Sequence, residues 1–256
     1  MLPDIKTLKS IRTRLKSRKK HKKIKERLAA GYSQKLGFLH IPKTGGSSLG
    51  TLGRALVRRG HRFPCHFPHP WRAREILEAF PAMQLVLVLR DPLERAISGF
   101  NSRLRQGRPT YDNLWSGAEA AAFAHFPSAR AFLEALASEG NEHKRSAAAY
   151  AMRKISHLRW NYSYYFRDAD FVRQNAGRFA LIGDIARMDA FVRAAADLAG
   201  APPDEAAALY ARRHEAAVRP SRLLDAFEPD ALERIRAHFA KDYAIHAALR
   251  DLAEAR

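Results

Sequence analysis

The sequence predicts an α/β domain of three layers, built on a mainly parallel central sheet and closing in a helix-rich C-terminal half. Three observations carry this. Two apolar runs, at 36–41 and 84–89, each pass straight into a turn and then a helical pattern, the mark of strand–loop–helix units. The second run, Gln84-Leu85-Val86-Leu87-Val88-Leu89, lacks polar alternation, as an interior strand covered on both faces does. Alanine-rich segments near 118–124, 128–139, 185–199 and 203–213 then read as helices.

The N-terminus stands apart. The chain has 256 residues and a formal charge of +19, of which residues 1–35 supply +11 from nine lysines and four arginines against Asp4 and Glu26. The run Arg18-Lys19-Lys20-His21-Lys22-Lys23 repels itself, whereas Ile5, Leu8, Ile11 and Leu15 fall near helical spacing. Residues 1–35 therefore read as a basic extension, partly disordered or an amphipathic helix on an anionic membrane, and residues 36–256 as the domain. A hydrophobic content of 46% excludes a disordered chain, and the single cysteine, Cys65, excludes a disulfide framework or an all-cysteine metal site. No run approaches the roughly 18 apolar residues of a membrane span, and no secretory stretch opens the chain. The expectation is a cytoplasmic protein, peripheral at the inner membrane surface at most.

The first strand leads into Pro42-Lys43-Thr44-Gly45-Gly46-Ser47-Ser48, followed by Leu49, Leu52, Ala55 and Leu56 at helical spacing. Glycines let successive backbone N–H groups face inward, and the helix start adds unpaired N–H groups and the positive dipole end. Lys43 adds a charge, and Thr44, Ser47 and Ser48 add hydroxyls. This is a phosphate-binding device, unless Ser47 and Ser48 only cap the helix. It is not a triphosphate loop, because its lysine precedes the glycines rather than following them. ATP or GTP hydrolysis is disfavoured.

The second strand leads into Arg90-Asp91-Pro92-Leu93-Glu94-Arg95-Ala96-Ile97-Ser98. Asp91 suits an N-cap, Pro92 the first helical position and Glu94 the third, so Asp91 has a structural explanation. Arg90 stands at the carboxyl end of a strand, where open α/β sheets bind ligands, and with Ser98 it is fit to hold a second phosphate.

The two loops together resemble the sulfotransferases, in the branch of the Golgi carbohydrate enzymes and the bacterial family 2 proteins. His40-Ile41-Pro42-Lys43-Thr44-Gly45-Gly46-Ser47-Ser48-Leu49 resembles that family's 5′-phosphosulfate loop, and Leu89-Arg90-Asp91-Pro92-Leu93-Glu94-Arg95-Ala96-Ile97-Ser98 its 3′-phosphate motif. Phe179-Ala180-Leu181-Ile182-Gly183-Asp184, with the helix through Met188 and Phe191, resembles a further strand and helix. The resemblance implies a P-loop-like fold and a donor, 3′-phosphoadenosine 5′-phosphosulfate (PAPS), that leaves as adenosine 3′,5′-bisphosphate (PAP). It implies that Lys43, Thr44, Gly45, Gly46, Ser47 and Ser48 hold the phosphosulfate, that Arg90 and Ser98 hold the 3′-phosphate, and that Lys43 is also catalytic. No metal is required, since lysine and backbone N–H groups meet the leaving-group charge.

Between the loops, His61, Cys65, His66 and His69 crowd the segment 60–70. His66-Phe67-Pro68 resembles the family segment that supplies a catalytic histidine, which makes His66 the expected base and His69 its alternative; relatives carry a glycine where this chain has Cys65. A zinc site of Cys65, His66 and His69 is a further option, as is a histidine packed against the sheet. The acceptor implied is a carbohydrate or glycan hydroxyl. Basic and aromatic residues from Arg103 to Tyr165, among them Arg105, Trp115, Arg159, Trp160 and Tyr164, suit such a ligand or simply the core and solvated helix faces. Two other functions compete: a kinase-like P-loop transferase, and a protein bound by charge to nucleic acid or membrane, with no specific nucleic acid expected.

Overall fold

The computed structural model describes residues 19–109, 112–210 and 220–255. A helix over residues 19–29 (α1) precedes β1 (Leu36–Leu39), α2 (Gly46–Arg58), β2 (Cys65–Phe67), α3 (Ala73–Ala79) and β3 (Gln84–Leu89). An all-helical excursion follows: α4 (Pro92–Leu104), α5 (Gly117–His125), α6 (Ala129–Ala137), α7 (Glu142–Lys154), α8 (Ser156–Arg159), α9 (Tyr162–Phe166) and α10 (Ala169–Gln174). Then come β4 (Phe179–Asp184), α11 (Met188–Leu198), α12 (Pro203–Leu209), α13 (Pro220–Leu224), α14 (Pro229–Ala237) and α15 (Ala240–Glu254).

The four strands form one all-parallel sheet in the order β2-β1-β3-β4. Alternation along the strands divides their side chains between two cores. Leu39, Phe67, Leu85 and Leu87 meet α1, α3, α9 and α15 on one face. Phe38, Val86 and Val88 meet Leu49, Leu52 and Leu56 of α2 and Phe191 of α11 on the other. Helices on both faces of a parallel sheet make the expected three layers. The apolar face of α4 (Leu93, Ile97, Phe100) builds a third core with α5, α6, α7 and α14.

Strands β1, β3 and β4 lie where the sequence places them, whereas β2, three residues long between prolines, carried no pattern from which to expect it. Leu232, Ile235, Phe239 and Tyr243 recur at the three- and four-residue steps of a single helix, yet the chain there divides into α14 and α15. Phe239 serves the all-helical core and Ile245 the sheet core, so the chain turns between them, and the His238 ring meets the Leu136 carbonyl at 3.1 Å there. Helix α12 stops at Leu209, and 211–219 lie outside the described residues.

The domain begins earlier than residue 36. Ile24 of α1 is 1% exposed within the sheet core, Tyr32 and Ser33 are buried, and the Lys20 ammonium meets Glu75 at 3.3 Å and lies over the Trp71 ring. That part of the basic segment is docked, not an extension. Ile5, Leu8, Ile11 and Leu15 fall outside the described residues. Among the described residues no helix is long and apolar enough to cross a membrane.

Candidate functional site

Because β1 and β3 are neighbours, the loops at their carboxyl ends share one edge of the sheet. In the first loop the backbone passes twice through the left-handed region, at Lys43 (φ 71°) and Gly45 (φ 84°). Glycine adopts this freely; for lysine it stores strain of about 1–3 kcal/mol, a cost found mostly where a loop is built for binding. Helix α2 starts at Gly46 with no side-chain cap, so Ser47 and Ser48 sit inside its first turn and do not cap it. Its leading N–H groups face the loop with only the dipole behind them. A Cβ on Gly46 would lie 2.0 Å from Cδ2 of His40, so the glycine is required by that ring.

Thr44 corrects an expectation. Its side chain is wholly buried and its hydroxyl donates to the Ile41 carbonyl at 2.9 Å, which tightens the turn and leaves its backbone for a ligand. Lys43 is half-buried. Desolvation, with the cations Arg105 and Arg90 nearby, lowers its ammonium to about 8. A cation held this reluctantly gains from an arriving anion.

In the second loop Asp91 caps α4 as expected, accepting from the N–H groups of Leu93 and Glu94 at 2.9 Å, with Pro92 in the first turn. Tyr243 donates a further hydrogen bond to Asp91. The Arg90 guanidinium reaches the Lys43 carbonyl at 3.4 Å, so the two loops touch. Its Nε lies 3.5 Å from the Glu94 carboxylate. The Arg90 backbone is held from α9: the Tyr162 hydroxyl donates to its carbonyl at 2.7 Å and accepts from its N–H at 2.9 Å. Ser98 is half-buried, one turn beyond Glu94 on α4.

Four histidines gather beside the first loop. His66, in the middle of β2, pairs through Nε2 with Nδ1 of His40 at 3.0 Å, and its Nδ1 edge faces Gly50 of α2. His69 lies with its ring 5.2 Å from that of His40 and 6.3 Å from that of His157 on α8, and packs on Trp160 at 4.7 Å. The Nδ1 atoms of His69 and His157 are buried without a hydrogen-bond partner. Burial lowers all four, His66 and His157 to about 3, so each ring is neutral at pH 7. As the sequence expects, His66 is near the loop, but its ε nitrogen is already engaged by another histidine. The zinc option fails on geometry: Cys65 and His66 are successive strand residues and point to opposite faces. Cys65 is fully buried in the sheet core, and among the described residues no three His, Cys, Asp or Glu side chains are placed to hold a metal ion together.

Several residues read as acceptor contacts are structural. Arg103 is 1% exposed and makes a bidentate pair with Glu119 at 2.9 and 3.0 Å. Its remaining donors reach the carbonyls of Asn113 and Leu114, while Glu119 also accepts from Ser116 and Ser156. Trp115 donates to the Arg103 carbonyl, and Tyr165 is buried in the sheet core. Arg95 is fully buried and donates to the carbonyls of His157 and Trp160, which ties α4 to the segment that carries His157. Trp160, by contrast, does border the site.

Sequence reasoning missed His40, His157 and Tyr162 as site residues. His40 stood within the motif and carried a hint, two glycines opening a helix six residues on. His157 and Tyr162 carried none, since only the fold brings α8 and α9 to this edge. No protein-family model, no curated protein and no solved structure matches the chain.

Proposed function

We propose that the protein is a sulfotransferase that moves a sulfuryl group from PAPS to an acceptor hydroxyl on a carbohydrate or glycan, releasing PAP. One observation supports this above the rest: two loops of different construction, one carrying Lys43 ahead of two glycines and the other Arg90, leave adjacent parallel strands and touch through Arg90 and the Lys43 carbonyl. Two separate anion seats suit a nucleotide phosphorylated at both ends, whereas a triphosphate needs one continuous loop.

In this reading the Lys43 ammonium and the leading N–H groups of α2 receive the 5′-phosphosulfate, with Ser47 and Ser48 beside them. Arg90 and Ser98 receive the 3′-phosphate. The S–O bond to the phosphosulfate's bridging oxygen breaks as a new S–O bond forms to the acceptor oxygen. The acceptor proton passes to the histidine cluster of which His66 is a member, and Lys43 offsets the charge left on the phosphate. Positioning and fixed charge carry most of the work, as in phosphoryl transfer. No step calls on a metal. The exposed lysines 19, 22, 23 and 25 on α1 favour peripheral contact with an anionic membrane, on its cytoplasmic side.

Calorimetry on the full chain at moderate salt tests this, comparing PAP with ATP and AMP. The expected result is preference for PAP by tenfold or more, the mark of a second phosphate seat. Binding of PAP no tighter than ATP overturns the reading and favours a kinase-like transferase or a charge-driven binder.

A further inference from the structure

The histidine cluster has an electrostatic peculiarity that concerns its protons. The charges acting on His40, His66 and His157 are cationic, while His69 is lowered by burial alone. Lys43, on the first loop, acts on His40 and His157; Arg27 of α1 and Arg54 of α2 act on His66; Arg95 and Arg103 of α4 act on His157; and the histidines act on one another. No carboxylate is among these influences. A buried imidazolium needs a negative partner, and none of the described residues supplies one there. Yet the Nδ1 atoms of His69 and His157 are buried, unpartnered and on rings 6.3 Å apart. His40 and His66, by contrast, already satisfy one another.

We propose that the missing negative charge is the ligand's: an anion seated on Lys43 and Arg90 draws a proton onto the His69–His157 pair, which makes that pair the site's proton acceptor only while the donor nucleotide is bound. The inference rests on the bisphosphate-nucleotide reading above and deepens it. A ligand with two phosphates brings close to four negative charges beside Lys43 and reverses the sign of the local field. Rings too weakly basic to take an acceptor's proton then approach the neutral range that suits a general base. Without donor they stay neutral and inert, so an acceptor hydroxyl is not activated ahead of its partner.

The test uses full-length protein labelled with 15N and PAP as the probe. Histidine ring correlations are followed from pH 5.5 to 8.5 with and without saturating PAP, and proton uptake is measured by calorimetry in two buffers of different ionisation heat. Ring signals are assigned with His69→Gln and His157→Gln. At pH 6.5 the expected result is that wild type takes up about half a proton more per bound PAP than His69→Gln or His157→Gln does, as for one histidine returned to its ordinary value. The signals of His69 or His157 move toward imidazolium. The ligand's own phosphates lose protons on meeting cations, a release common to wild type and variants, so the difference between them reports the protein's rings. PAP that binds while both rings stay neutral, or a proton that lands on His40 or His66 alone, overturns the inference and leaves the donor reading standing. PAP that binds no better than AMP overturns both.

Discussion

The Tyr162 hydroxyl closes on both backbone groups of Arg90, accepting from its N–H at 2.9 Å and donating to its carbonyl at 2.7 Å. One side chain from the helical excursion thereby fixes the residue that follows β3 and opens the second loop. Burial of Tyr162 raises its phenol pKa, so the hydroxyl keeps its proton and can play both parts at any physiological pH.

Tyr162→Phe removes both bonds and leaves the half-buried N–H and carbonyl of Arg90 without that partner, at a cost of about 1–3 kcal/mol. Binding of PAP is expected to weaken roughly tenfold, and binding of AMP, which lacks the 3′-phosphate, much less. Calorimetry with both nucleotides reads the difference. An equal loss for the two would mean that Tyr162 holds the fold and not the Arg90 seat.

The Glu94 carboxylate stands 3.5 Å from Arg90 Nε, in the position of a rival to any incoming phosphate. Glu94→Gln removes the competing charge, and PAP affinity is expected to rise about threefold to tenfold, more at low salt than at high. Unchanged or weaker binding would show that the carboxylate orients Arg90 instead of occupying it.

Lys43 titrates at about 8 in the unliganded protein, below its ordinary 10.5. A bound anion favours the charged form and raises that value again. The Lys43 contribution to PAP affinity is therefore constant well below pH 8 and falls above it, by at most about tenfold per pH unit, until the raised value in the complex is reached. A pH series of binding isotherms checks this, and Lys43→Arg should abolish the break. Lys43→Ala is expected to lower turnover of PAPS about 10²-fold or more, and to weaken PAP binding far less. Equal losses would reduce Lys43 to an anchor.

The buried Arg103–Glu119 pair is a stability device. Its removal by Glu119→Gln should cost about 3–5 kcal/mol, because Arg103 is left charged and uncompensated. The Arg103 hydrogen bonds, with those from Ser156 and Ser116, overcome the opposing desolvation and hold the Glu119 carboxyl down at about 2 in the folded protein. With the folded value below the unfolded one, the stabilisation is full above pH 4.5 and is lost as pH falls toward 2. Denaturant midpoints of the two proteins should thus converge on acidification. A constant difference between pH 7 and pH 3 would count against this.

Strands β1 and β3 and the two loops were legible because they are local: a continuous apolar run, glycines at a turn, an aspartate and proline at a helix start. Asp91 behaves as its neighbours dictate. Thr44 does not, because whether a hydroxyl faces a ligand or its own backbone depends on the turn's dihedral angles, and a lysine in the left-handed region at position 43 leaves no mark in the sequence. Arg103 and Arg159 looked alike as letters, yet one is buried against Glu119 and the other is exposed. The histidine cluster was half legible, since His66 and His69 are close in sequence while His40 and His157 come from other ends of the fold.

Strand β2 lies at the border of the sheet, and a bare border of unpaired carbonyls invites another chain to add itself. Here the guanidinium of Arg27 donates to the His66 carbonyl while Phe67, the next residue, turns its carbonyl inward to His40. Helix α1 thus acts as a bumper against self-association, with a cation where a neighbouring strand would dock. Trimming the lysine-rich leader at residue 35 would strip that bumper and expose the Ile24 pocket in one cut, yielding a sticky protein whose loss of function would say nothing about the leader's charge. A cut before residue 19 keeps the guard in place.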